Sequence, residues 1–227
     1  MHDTLRQAGP LIDQMAVAFA IAPAQADAVM RTVMPEFAWH VQTATLSRGG
    51  LADLVELLGG DHRAVTSGCL LLDEAARRDG VVILARLLGT KDASRTLAAR
   101  AAQQCGVGAG QIASMLPHLA VVAIGGLALR SKTGLAEVLA QVPSLGRISR
   151  GSPHAALAGI LRRRCGAGAY SPRALPRAVR RAIAGAVPSR SIIVWYVRFM
   201  LGRRAARLLR SVVLRSRAPI ASVPAGH

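Results

Sequence analysis

Between Arg100 and Arg130 the chain carries no charged residue, and Ile112 to Leu129 is 18 residues of nearly unbroken apolar side chains. A stretch of that kind has two fates: the centre of a helical core, or a bilayer, which a helix crosses in about 20 residues. Three features favour the core. Pro117 and the Gly125–Gly126 pair interrupt the stretch, His118 sits within it, and Gly106, Gly108 and Gly110 crowd its start. An internal echo weighs more. Met34-Pro35-Glu36-Phe37-Ala38-Trp39-His40-Val41 parallels Leu116-Pro117-His118-Leu119-Ala120-Val121-Val122-Ala123. The first copy is flanked by Asp27 and Arg31 and contains Glu36, so it reads as an amphipathic element of a soluble fold. The second reads as the same element, more deeply buried.

The echo extends upstream. Ile21-Ala22-Pro23-Ala24-Gln25 leads into the first proline element as Val107-Gly108-Ala109-Gly110-Gln111 leads into the second. The spacing from Gln to Pro is ten residues in one copy and six in the other. That difference is close to one helical turn, so the same face stays buried. Gly50–Gly59 and Gly80–Gly89 form a second echo, with a weaker copy from Gly134 to Val142. Leu51, Leu54, Val55 and Leu58 follow the stripe of a one-sided helix, and the glycines read as its punctuation, with Gly59 and Gly89 suited to left-handed ends. Thr90 or Asp92 caps a helix that Gly106 ends. The pattern predicts helices over 11–20, 23–46, 50–58, 65–78, 80–88, 92–105 and 111–130, with a weaker one at 134–141. Pro35 and Pro117 each remove a backbone donor and are expected to kink or break their helices.

Composition agrees. Half of the 227 residues are apolar but only 3% are aromatic, so the core is built from Ala, Leu and Val. Such a core suits helices better than a β-sandwich, and no alternating run is long enough to propose a sheet. The expected fold is all-α: a duplicated multi-helical bundle over residues 1–145, followed by a basic helical C-terminal extension over 146–227.

Leu88-Gly89-Thr90-Lys91-Asp92-Ala93-Ser94-Arg95-Thr96-Leu97 through Gly106, followed by Met115 to Leu127, resembles the bacterial YidB-like family, a family of unknown function. Ala22 to Gln25 and Met34-Pro35 fit its first repeat. The resemblance spans roughly residues 10–131. It implies an all-helical, duplicated, cytosolic bacterial protein, and it brings no activity and no catalytic residues to transfer. The long arginine-rich extension departs from the family pattern.

Charge sets that extension apart. Residues 151–227 hold 15 arginines and no acid, whereas all 12 acidic residues lie before them. A one-sign segment calls for an anionic partner. Pro153 to Arg164 and Ala174 to Val187 read as short basic helices, and Ile192 to about Arg215 as a third. In the third, Leu201, Ala205, Leu208, Leu209, Val212 and Val213 fall on one face and Arg203, Arg204, Arg207 and Arg210 on the other. Trp195, Tyr196 and Phe199 sit in the same segment, a pattern suited to a helix lying in a membrane surface. The expected contacts are Trp195, Phe199 and Leu208 in the interface, with Arg203, Arg204, Arg207 and Arg210 on headgroups. An anionic membrane is thus the first expected partner. Nucleic acid is the alternative, since phosphate contact needs little beyond charge. Docking of the tail on the body, or homo-oligomerisation through it, is the third reading.

The chemistry of catalysis is not legible. Gly106-x-Gly108 lacks a third glycine and follows a helix, Lys132-Thr133 has no phosphate-loop frame, and Ser149 misses the nucleophile elbow. Asp73 and Glu74 diverge along a helix and read as ion-pair partners of Arg77 and Arg78. His40, His62, His118 and His154 lack ligand spacing, although His40 and His118 lie near the two prolines. Cys69, Cys105 and Cys165 are odd in number and far apart, so neither a disulfide framework nor zinc is expected. The first residues do not read as a signal peptide. The expectation is a cytoplasmic non-enzyme with no cofactor and no metal, held peripherally on the inner membrane where its tail engages it.

Overall fold

The computed structural model describes residues 8–60, 72–142 and 152–186. Among these, eight helices follow one another: α1 (Ala8–Ala18), α2 (Pro23–Leu46), α3 (Arg48–Leu58), α4 (Glu74–Leu88), α5 (Lys91–Cys105), α6 (Ala109–Ala140), α7 (Pro153–Arg163) and α8 (Ala174–Ala184). The described residues hold no strand, only an isolated bridge between Ala167 and Tyr170. The fold is all-α, as composition requires.

Local chemistry sets the helix ends. Ser47 ends α2 and starts α3, its hydroxyl accepting from the Gly50 N–H, so two helices meet at one residue. Gly50 is needed there, because a Cβ would stand 2.5 Å from the Ala44 carbonyl oxygen. Asp73 caps α4 and Thr90 caps α5, each through its side-chain oxygen. Gly89 and Gly106 take positive φ, 81° and 64°, and turn the chain at the ends of α4 and α5. Gly59 does not: its φ is −84°, an ordinary right-handed end.

The long apolar stretch forms α6, 32 residues that run through the centre of the molecule. Its most apolar 18-residue window has a mean hydropathy of 2.0, enough by length and composition to cross a membrane, yet 72% of the window is buried within the fold. The helices α2, α3, α4, α5 and α8 all pack against it. Ile112, Met115, Leu119, Ala120 and Ile124 have no exposed surface, and they meet Val29, Phe37 and Leu54 in one continuous core.

Two expectations about helix boundaries fail for one reason. Helices predicted over 111–130 and 134–141 are a single α6, and the predicted junction at Gly80 lies inside α4. Both glycines mark places where another helix comes close, not ends. Gly80 lies on the backbone of Pro117, and Gly134 on Ala182 of α8. The segment predicted over 65–78 is described only from Leu72 onward, where Asp73 starts α4. Pro35 and Pro117 sit inside α2 and α6 without breaking either helix. Surrounding burial offsets the missing donors, as it does where packing outweighs local preference.

The two Gln-led elements are tied reciprocally. The Gln25 amide donates to the Gly106 carbonyl at 3.4 Å, and the Gln111 amide donates to the Phe19 carbonyl. Each glutamine therefore reaches the turn that leads into the other's helix. Gly106 has positive φ, and so does Ala20, beside Phe19, at 49°.

The core also continues past residue 145, the expected end of the body. Leu157, Ala158, Leu161, Leu175, Val179 and Ile183 have no exposed surface and belong to the same core as α2, α3 and α6. The first two basic helices are thus built into the fold.

Candidate functional surface

The arginines of α7 and α8 divide into two groups. The first group fastens the extension. Arg162 places one Nη 2.6 Å from a carboxylate oxygen of Asp53 and 2.7 Å from one of Glu56, both on α3. Arg86 of α4 approaches the same Glu56 at 3.5 Å. The hydrogen bond from Arg162 and the neighbouring charges hold the Glu56 carboxyl below its usual range, against the opposing pull of partial burial. Arg180 donates from Nε to the Thr45 carbonyl at 2.8 Å and from Nη2 to the Leu46 carbonyl at 3.4 Å. Those carbonyls end α2 without intrahelical donors, so a cation there satisfies both hydrogen bonding and the helix dipole. Arg48 donates to the Pro172 carbonyl, tying the start of α3 to the turn before α8.

The second group faces solvent. Arg163, Arg164, Arg173, Arg177 and Arg181 are all exposed. The apolar positions Leu175, Val179 and Ile183 turn α8 inward and leave Arg177 and Arg181 outside. These exposed charges are carried on helices whose apolar sides belong to the shared core. Sequence reasoning saw the basic helices but not that Arg162 and Arg180 are structural; only the positions of Asp53, Glu56 and the α2 end make them so.

The residues predicted to touch a membrane or another anion, Trp195, Phe199, Arg203, Arg204, Arg207, Leu208 and Arg210, lie outside the described residues.

Other near misses resolve into structural roles. Glu74 takes both Arg77, at 2.6 Å, and Arg78, at 3.3 Å, which lowers its carboxyl to about 2, while Asp73 spends its oxygen on the α4 cap instead of on an arginine. His118 is buried with its ring 5.7 Å from Phe19. His40 lies edge-on to the exposed Trp39 at 4.8 Å, and burial chiefly, with the nearby Arg100 charge, lowers its pKa against the pull of Glu36. Among the described residues no group of three or more His, Cys, Asp or Glu side chains converges as a metal site would require.

An all-helical bundle with a long buried central helix and exposed arginines on its last two described helices is thus the class of molecule at hand. The family described as bacterial protein of unknown function (DUF937) matches residues 3–130, more than half of the chain, and the chain belongs to that family. The YidB-like resemblance is consistent with it. No curated protein and no solved structure matches the chain. The family match stops at Arg130, about two-thirds of the way along α6, so the last third of that helix and all of α7 and α8 lie beyond it.

Proposed function

We propose that this chain is a non-enzymatic cytoplasmic protein whose helical body is held on the anionic face of the inner membrane by its C-terminal cationic segment. The observation that carries the reading is the charge division: 15 arginines and no acid after residue 150. The exposed arginines of α7 and α8 support it, because they place positive charge on the body immediately before residues 190–217. In that last segment Trp195, Phe199 and Leu208 supply the apolar contact, and Arg203, Arg204, Arg207 and Arg210 the headgroup contact. Each arginine close to an anionic leaflet contributes about 1 kcal/mol, so several together give reversible binding.

Vesicle co-sedimentation with full-length protein tests the reading. Binding to phosphatidylglycerol-rich vesicles at low salt is expected, weakened by Trp195→Ala and Leu208→Ala as well as by Arg203→Gln with Arg207→Gln. No vesicle binding at low salt refutes it. Oligonucleotide binding that falls with the arginines but ignores Leu208→Ala would replace it with nucleic-acid recognition. A change of oligomeric state or melting temperature on deleting residues 190–227, without vesicle binding, would replace it with docking or self-association.

A further inference from the structure

The second half of α6 meets α8 through small residues: a Cβ on Gly134 would lie 3.2 Å from both Cα and Cβ of Ala182. An open cleft of about 380 Å³ flanks this crossing, a size that suits a small ligand. Arg130, Gly134, Glu137 and Gln141 line it from α6, spaced four, three and four residues apart along one helix face. Arg181 lines it from α8, and Tyr170 from the turn before α8. Apart from Arg130, its lining lies wholly beyond the family match. The cleft therefore exists because the extension packs against the far half of α6.

Two guanidinium groups, one from each helix, suit an oxyanion, and their fork geometry fits phosphate oxygens in particular. Arg181 and Glu137 form no ion pair among the described residues, so both remain available to a ligand. Glu137 would repel a bare phosphate. It becomes favourable only if the ligand also offers a hydrogen-bond donor.

We propose that this cleft binds a small phosphate ester bearing a hydroxyl or ammonium group. The phosphoryl oxygens contact Arg130 and Arg181, and the donor group contacts Glu137. Such a ligand comes either as a free metabolite or as the headgroup of a lipid. The inference goes beyond the membrane reading of residues 190–217 and does not depend on it.

Isothermal titration of the full-length protein tests the site with three probes: inorganic phosphate, glycerol 3-phosphate, and a short-chain phosphatidylglycerol below its micelle concentration. Glycerol 3-phosphate is expected to bind more tightly than inorganic phosphate. Arg181→Gln is expected to weaken it by about tenfold, since a charge-assisted contact is lost. Glu137→Gln is expected to narrow the preference for glycerol 3-phosphate over inorganic phosphate. Arg203→Gln with Arg207→Gln should leave the affinity unchanged, which separates this cleft from the tail. Tighter binding of the short-chain lipid than of glycerol 3-phosphate, weakened by Arg181→Gln but kept by the Arg203→Gln with Arg207→Gln variant, would identify a headgroup as the source, and the reverse order a free metabolite. Arg181 is exposed, so an unchanged melting temperature will show that its variant folds. Absence of binding by all three probes overturns the proposal, as does binding that Arg181→Gln leaves intact.

Discussion

Gly80 rests directly on Pro117: a Cβ at position 80 would stand 2.1 Å from the Pro117 carbonyl oxygen and 2.7 Å from its Cα. The helices α4 and α6 therefore touch backbone to backbone, closer than any side chain allows. Gly80→Ala must push them apart, and a destabilisation above about 2 kcal/mol is expected, as for an overpacked core. Gly110→Ala, in the first turn of α6 with open space around it, should be neutral or stabilising by up to about 1 kcal/mol. Chemical denaturation of the two variants checks this. Equal shifts in midpoint would mean that the crossing does not depend on Gly80.

The exchanged glutamines invite a paired test. Gln111→Ala removes one side-chain hydrogen bond, to the Phe19 carbonyl, and Gln25→Ala removes two, one to the Gly106 carbonyl and one accepted from the Ala22 N–H, each worth about 0.5–1.5 kcal/mol. The Gln111 variant should still cost more, because its bond is part-buried and leaves the Phe19 carbonyl unpaired, whereas both Gln25 bonds are exposed and water replaces them. Urea unfolding of each single variant, read against the parent, measures the difference. A larger loss for Gln25→Ala would contradict it.

Arg162 makes stability depend on acid. Its hydrogen bond holds the Glu56 carboxyl below the ordinary value of 4.5, so the folded state favours the ionised form. The resulting stabilisation is complete above pH 4.5 and disappears as pH falls through the depressed folded value. Arg162→Gln should lower stability at pH 7 by no more than about 1 kcal/mol, since Arg162 is 45% exposed and Glu56 33%. The gap between parent and variant should close at the acid end of that window. Melting temperatures from pH 7 down to pH 2 would reveal it, and a gap that persists undiminished would rule the linkage out.

The extension should behave as two parts in stability measurements. Leu161 is fully buried in the shared core, and Leu161→Ala is expected to cost about 2–5 kcal/mol. Arg177→Gln, at an exposed position on α8, should stay within about 0.5 kcal/mol of the parent. If Leu161→Ala is equally mild, α7 is not an integral part of the core.

The sequence alone determined the helical class, the central burial of residues 112–129, the helix that starts at Thr90 or Asp92 and ends at Gly106, and the presence of the first two basic helices. These depend on composition, on periodicity and on residues within a turn of one another, all of which are local. Only the tertiary structure decided what each glycine and arginine is for. A glycine that ends a helix and a glycine that admits a neighbouring backbone look alike in one dimension, so Gly80 and Gly134 read as boundaries until Pro117 and Ala182 were found upon them. An arginine that binds a partner and one that fastens the fold are likewise the same letter. Arg162 and Arg180 became structural because Asp53, Glu56 and the carbonyls at the end of α2, more than a hundred residues away, arrive beside them. Contact across that separation is a property of packing, and no local pattern encodes it.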